Sequence, residues 1–228
     1  MRTEVLADAE AVAKRAAAVI AEAARAAVTA RGRFLLAVSG GKTPWVMLRA
    51  LATEEVPWKH VHVVQIDERV APAGHEDRNL THLHESLLEH APLNPEQIYA
   101  MPVETPDLEA AAARYVRTLC EIAGIPPVLD LAHLGLGPDG HTASLVPCDP
   151  VLEVADRDVA ITGVYQGRQR MTLTYPVLNR SRKIMWVVTG AEKVPMLKRL
   201  QDGDTSIPAG RIRRDPALIL ADSAAAGK

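Results

Sequence analysis

Cysteine, aromatic side chains and charge of one sign are all scarce in this sequence, and each shortage removes a class of function. The two cysteines, Cys120 and Cys148, stand far apart with no CxxC spacing. Neither a disulfide framework nor a zinc ribbon is expected, and a reducing, cytoplasmic compartment is the simplest setting. One Phe, three Trp and four Tyr, with no basic run among them, offer nothing to stack on bases or follow a phosphate backbone. Lys and Arg number 26 against 28 Asp and Glu, a net charge of -2, so no nucleic acid partner is expected. No apolar segment approaches the roughly 20 residues that span a bilayer. The Ala-rich start mixes Glu4, Asp8, Glu10 and Glu22 with its basic residues, unlike a signal or transit peptide. A soluble protein without a membrane partner follows, and 228 residues fit one domain over residues 1–228 with a substantial core.

What is present is alternation. From residue 3 to about 31, apolar positions recur at helical spacing and Gly32 follows as a stop, which predicts one long amphipathic helix. "RFLLAVSGG" is a short continuous apolar run ending in glycines, the pattern of a buried parallel strand feeding a turn. Thr43 then reads as a helix cap, with Pro44 at the first position of "PWVMLRALA". "VHVVQIDE", "VLDLAHLGLG", "DVAITGVY", "RMTLTYPVLN", "KIMWVVTG" and "ALILAD" read as further strands, and "NLTHLHESLLEH", "DLEAAAARYVRTLCEIA" and "AEKVPMLKRLQ" as helices. The segment "TGVYQGRQRMTL" has a hairpin as its alternative. Alternating strands and helices predict an α/β fold, Rossmann-like, with three α/β/α layers around a mostly parallel central sheet. Ligands of such sheets sit beyond the carboxyl ends of the strands, which here end in "SGGKT", "DER", "GLGPDGHTAS" and "TGAEK".

Each of these ends has a tempting reading. "GGKT" looks like a P-loop, but the required glycine five positions before Gly41 is Leu36, and Pro44 follows the Thr. A weaker feature survives: Gly40 and Gly41 at a strand-to-helix turn can aim backbone N–H groups at an anion. Gly135, Gly137 and Gly140 satisfy GxGxxG, yet Pro147 and Pro150 leave room for only about two helical turns, so no dinucleotide cofactor is expected. "PDGHTAS" instead sets a carboxylate, an imidazole and two hydroxyls past a buried strand. His141 is the best candidate general base, with Asp139 near enough to orient it. Arg69 of "DER" suits a phosphate or a developing oxyanion, and Arg170 and Lys193 are single cations at other strand edges. His60 and His62 would share a strand face and His82 and His84 opposite faces of a helix, without carboxylate or cysteine partners at ligand spacing, so no metal is expected. No G-x-S-x-G elbow is present.

With those residues in view, the chain resembles the 6-phosphogluconolactonase family. "SGGKTP" is similar to its strand-end loop, "DERVAP" with His75 and Asn79 to its second block, and "GLGPDGHTASLVP" to its signature; "RMTLTYPVLNRSRKIMWVVTGAEK" and "DSAAA" extend the likeness to Asp222. The resemblance implies the fold shared with glucosamine-6-phosphate deaminases and hydrolysis of 6-phospho-D-glucono-1,5-lactone to 6-phosphogluconate, a step of the oxidative pentose phosphate pathway. It implies His141 as base with Asp139 beside it, and Arg69, Arg170 and Lys193 on the substrate. Ser39, Gly40, Gly41, Thr43 and Asp67 join the expected substrate and phosphate contacts. Lys42 stands where relatives often have Ser. The expected partner is the small-molecule substrate 6-phosphogluconolactone, taken by a monomer or weak homodimer that needs no cofactor. Two rivals remain: a deaminase or isomerase, against which "TASLVP" lacks the acidic residue of an "IAFNEP"-like block, and a sugar-phosphate-binding domain without catalysis, against which no helix-turn-helix precedes Ser39.

Overall fold

The computed structural model describes residues 1–215 and 217–228. Its centre is a seven-stranded, all-parallel sheet of β1 (Arg2–Leu6), β2 (Phe34–Val38), β3 (Val61–Gln65), β5 (Ile98–Tyr99), β6 (Leu131–Leu134), β9 (Lys183–Val188) and β10 (Ala217–Asp222), in the order β1-β10-β9-β6-β2-β3-β5. The apolar strand runs make sense because both faces are covered. On β9, Met185 and Val187 join a core with α1 (Ala9–Arg31) and α2 (Lys42–Leu51), whereas Ile184, Trp186 and Val188 join the opposite core with α4 (Leu108–Ala123) and α6 (Val194–Asp202). The pleat sends successive side chains to opposite faces, and a strand buried on both must be apolar throughout. The three layers expected from the sequence are present.

Helix α1 begins later than its periodicity predicts. Asp8 caps it by accepting from the Ala11 N–H at 2.8 Å, and the residues before it form β1 against β10. The periodicity over residues 3–31 places Val5 and Leu6 in the helix; the cap at Asp8 starts it later, and the preceding chain is free to complete the sheet edge. Arg2 is exposed on that edge and Glu4 is held by Arg15 of α1 at 2.9 Å, and charges there discourage pairing with another chain.

Two further corrections shape the site. "VHVVQIDE" is not one strand: the chain leaves the main sheet after Gln65, and β4 (Asp67–Arg69) pairs instead with β8 (Arg170–Leu173), which pairs with β7 (Val159–Ile161) in a small antiparallel sheet. "RMTLTYPVLN" likewise divides into β8 and helix α5 (Tyr175–Arg180), with Pro176 in the first turn, where its missing N–H costs nothing. The hairpin alternative therefore holds for β7 and β8. "NLTHLHESLLEH" forms α3 (Asn79–Leu83) and continues as a π-helical turn over His84–Leu88. Thr43 is not the cap of α2: Gly41 is, and the Thr43 hydroxyl instead meets that of Thr189 beyond β9 at 2.6 Å. His60 lies in a 3₁₀ turn before β3, so it shares no strand face with His62, whose Nδ1 pairs with the Tyr99 hydroxyl at 3.1 Å. Among the described residues no helix is long and apolar enough to cross a membrane.

Candidate active site

The strand order reverses between β6 and β2, and the turns that leave the carboxyl ends of β2, β6 and β9 open onto a cavity of about 570 Å³. That is the usual place and size for a small-molecule site in an open α/β sheet. β4, β8 and the loop after β6 close its other side. Ser39, Gly40, Gly41 and Thr43 border it from the first turn; Asp67, Arg69 and Arg170 from the small sheet; His141 and Lys193 from the remaining loops. Asp139 lies behind His141 rather than on the cavity wall.

The loop after β6 is built to present one imidazole. Gly137 N–H donates to the His141 carbonyl at 2.8 Å, which folds residues 137–141 into a tight turn with no helix after it. A methyl group on Gly137 would overlap the His141 ring, so only glycine permits the approach. Ala143, also on the wall, sits at φ 53, a conformation that costs a non-glycine residue about 1 kcal/mol and tends to occur at functional turns. The His141 Nδ1 is 2.6 Å from Asp139 Oδ1, leaving Nε2 as the nitrogen free for chemistry. Burial opposes ionisation of Asp139, yet the adjacent His141 ring and the Tyr165 hydroxyl outweigh it and hold the carboxyl below its ordinary range. A carboxylate fixes the tautomer of an imidazole that then works as a base.

Two guanidinium groups border the same cavity. Arg69 and Arg170 are direct partners across the antiparallel ladder, so their side chains share one face. Arg69 donates through Nη1 to the Asp77 carbonyl at 2.7 Å and Arg170 through Nη2 to Gln166 Oε1 at 3.2 Å. The Nε atoms of both, and the Ser39 hydroxyl, are buried with no partner among the described residues. Burial first, and the nearby Arg69 charge second, push the Arg170 guanidinium below its usual value. Donors of this kind suit an anion that could satisfy them and relieve the repulsion.

The carboxylates nearby are already engaged. Asp67 accepts from Ser144 Oγ at 2.7 Å and, more weakly, from Asn79 Nδ2 at 3.4 Å, tying β4 to the loop that carries His141. Asp222, at the end of β10, accepts from Gly190 N–H at 3.1 Å and shapes the turn leading to Lys193. Sequence reading missed Asp222, Tyr165 and Thr189. Asp222 had a signal, since it is the polar residue at the carboxyl end of "ALILAD"; Tyr165 had none, because the contact that matters crosses between loops.

His133, on β6 below the Ser39 turn, is fully buried. Its Nδ1 accepts weakly from Ser39 N–H at 3.4 Å, and Nε2 has no partner among the described residues. Burial pushes its pKa down to about 4, whereas an unfolded histidine titrates near 6.5. Between those values the unfolded chain holds the proton and the native chain does not, so stability increases with pH through this window. Acidification from about pH 6.5 to 4 should therefore remove about 3 kcal/mol. Urea unfolding at pH 7 and pH 4 measures it, and His133→Gln should flatten the difference; an equal slope in that variant would assign the effect to other groups.

Among the described residues no cluster of three or more His, Cys, Asp or Glu side chains is arranged to hold a metal ion. His82 is occupied structurally, its Nε2 on the Glu76 carbonyl at 2.8 Å and its ring 3.9 Å from that of Trp45.

Comparison with known proteins adds a family to this geometry. Residues 7–220 match the family model described as glucosamine-6-phosphate isomerases/6-phosphogluconolactonase. A 6-phosphogluconolactonase of Nostoc is 35% identical over 231 aligned positions, covering 98% of this chain and 96% of that protein. A crystal structure of 6-phosphogluconolactonase from Thermotoga maritima superposes with a TM-score of 0.85 at 26% identity, covering 97% of this chain and 98% of that one. A monomeric glucosamine-6-phosphate deaminase superposes equally well, at 0.86, but with 17% identity, and it speaks for the fold alone.

Proposed function

The chain belongs to the glucosamine-6-phosphate isomerase/6-phosphogluconolactonase family, and on that premise we propose that it hydrolyses 6-phospho-D-glucono-1,5-lactone to 6-phosphogluconate in the cytoplasm. The observation that carries the reading is His141, backed by Asp139, on a cavity that Arg69, Arg170 and Lys193 also line. Lactone hydrolysis needs a base, an oxyanion binder and an anchor for a distant phosphate, and all three chemistries border one space. The deaminase alternative would call for a carboxylate close after His141, where the chain has Thr142, Ala143 and Ser144.

In this mechanism His141 Nε2 removes a proton from water as its oxygen adds to the lactone carbonyl. The tetrahedral oxyanion collapses, the bond from C1 to O5 breaks, and the imidazolium returns its proton to O5. Asp139 stabilises the charged ring between the two transfers. Arg69, Arg170 and Lys193, with the N–H groups of Gly40 and Gly41 and the hydroxyls of Ser39 and Thr43, supply positive potential for the phosphate and the oxyanion. Asp67 contributes by holding the His141 loop through Ser144, since a carboxylate cannot itself neutralise phosphate.

The direct test is an assay on freshly generated 6-phosphogluconolactone, corrected for spontaneous ring opening, with glucosamine 6-phosphate in parallel. Acceleration of the first and inertness toward the second are expected; the reverse pattern sinks the reading. The 39–43 turn has its own test. Gly41 sits at φ 130, which a valine does not adopt, with Pro44 atoms 3.4 Å from where its Cβ would lie. Gly41→Val should raise KM about tenfold with kcat nearly constant, by reshaping the anion-binding N–H groups. An unchanged KM removes the turn from the phosphate site.

A further inference from the structure

The β7–β8 hairpin ends in a two-residue turn, with Gln166 at φ 50 and Gly167 at φ 79, closed by reciprocal backbone bonds between Tyr165 and Arg168. Its tip is exposed at Gly163, Val164, Gln166 and Gly167, yet Tyr165 folds inward. The Tyr165 hydroxyl donates to Asp139 Oδ2 at 3.0 Å, while Asp139 Oδ1 serves His141. The tyrosine ring meets that of His141 edge-on, centroids 5.5 Å apart, and the Arg170 guanidinium lies 5.0 Å from its centroid. Arg168 fastens the hairpin to Asp77 Oδ2 through Nε at 3.0 Å and Nη2 at 2.9 Å, and the Asp77 carbonyl in turn accepts from Arg69.

We propose that Tyr165 is a positioning residue of the hydrolytic site: it pins the free oxygen of Asp139, so that the carboxylate keeps His141 aimed into the cavity. This rests on the reading of His141 as base. A carboxylate bound at one oxygen only rotates easily, because its terminal torsion is broad; binding the second oxygen removes that freedom. Burial first, and the Asp139 charge second, raise the Tyr165 hydroxyl above its ordinary value, so it remains a donor at neutral pH. No alternative task for the hydroxyl is visible: it makes no other hydrogen bond among the described residues.

Tyr165→Phe keeps the ring and its contacts with His141 and Arg170 and deletes only the hydroxyl. It should lower kcat for the lactone about tenfold with KM within about twofold. The acidic limb of the kcat profile should move to higher pH, because Asp139, with one donor fewer, places more of its charge on the imidazolium. Asp139 faces His141 and Tyr165, Tyr165 faces Arg170, and Arg69 and Asp67 act on Arg170; the substitution changes none of these but the hydroxyl. In an Asp139→Asn background the same substitution should cost almost nothing further. An equal cost in both backgrounds, or an unmoved limb, overturns the proposal. In the substrate-free protein the downfield Nδ1–H resonance of His141 should broaden in Tyr165→Phe, a readout independent of substrate. A sharp, unchanged resonance overturns the role of Tyr165; a broadened one in a protein that leaves the lactone untouched overturns the assigned reaction instead.

Discussion

His141→Ala is expected to lower kcat for the lactone by roughly 10²–10⁴-fold, the usual contribution of a positioned base, with KM within about threefold. The fold should tolerate the change. The turn is held by the backbone bond from Gly137 to the carbonyl of residue 141 and by Ser144 on Asp67, neither of which uses the imidazole. The loss should thus fall on chemistry alone. A six-membered lactone opens slowly without help, so the residual rate must be read above that background, and the Asp139→Asn variant should fall in the same direction by less. Near-wild-type turnover in His141→Ala would falsify the base assignment and leave water activation to another group.

The second large effect concerns stability. Glu68, between the two cavity-lining residues of β4, is wholly buried. Its Oε1 accepts from the N–H groups of Arg69 and Asn79 at 2.8 Å each, and its Oε2 from Gln65 Nε2 at 3.0 Å and Leu80 N–H at 2.9 Å. Arg78, itself 1% exposed, places Nε 3.0 Å from Oε2, an ionic contact without hydrogen-bond alignment. Removing such a carboxylate strands several buried donors and a buried cation, whose remaining carboxylate partner, Glu104, is half exposed. Glu68→Ala should cost about 3 kcal/mol or more and lower the melting temperature by about 6–12 °C. Glu68→Gln, keeping one acceptor, should cost less. A melting temperature within about 2 °C of wild type would mean that water replaces the carboxylate.

Local patterns made the layers and the strand ends legible. "FLLAV", "KIMWVV" and "ALILAD" are apolar at every position because both their faces are buried, and the polar turns after them could lie only at the carboxyl ends. What the sequence concealed were features set by contacts between distant segments. β4 is three residues long, and nothing in "VHVVQIDE" marks the point where the chain changes sheets; that is decided by pairing with Arg170, Met171 and Thr172, about a hundred residues on. β1 was hidden for the same reason, since its partner β10 lies at the other end of the chain. Ser39, Gly40, Gly41, Asp67, Arg69 and Arg170 are legible because each lies at or just beyond a strand end. Tyr165 and the support given by Glu68 are not, because their roles follow from what they touch.

The pairing of Arg69 with Arg170 carries a consequence for how the sequence can vary. In β8, Arg170 and Thr172 face the cavity side, Thr172 receiving the Ser144 N–H, whereas Met171 and Leu173 enter the core. A shift of one residue would drive a guanidinium among apolar side chains and turn a methionine toward the anion. Exposed hairpin tips are ordinarily where insertions and deletions collect. Here the tip must deliver Tyr165 to Asp139, Arg168 to Asp77 and Arg170 to its partner at once, so a change in its length, by one residue above all, would dismantle the site while leaving the hydrophobic cores intact. Its surface position conceals one of the least negotiable lengths in the chain.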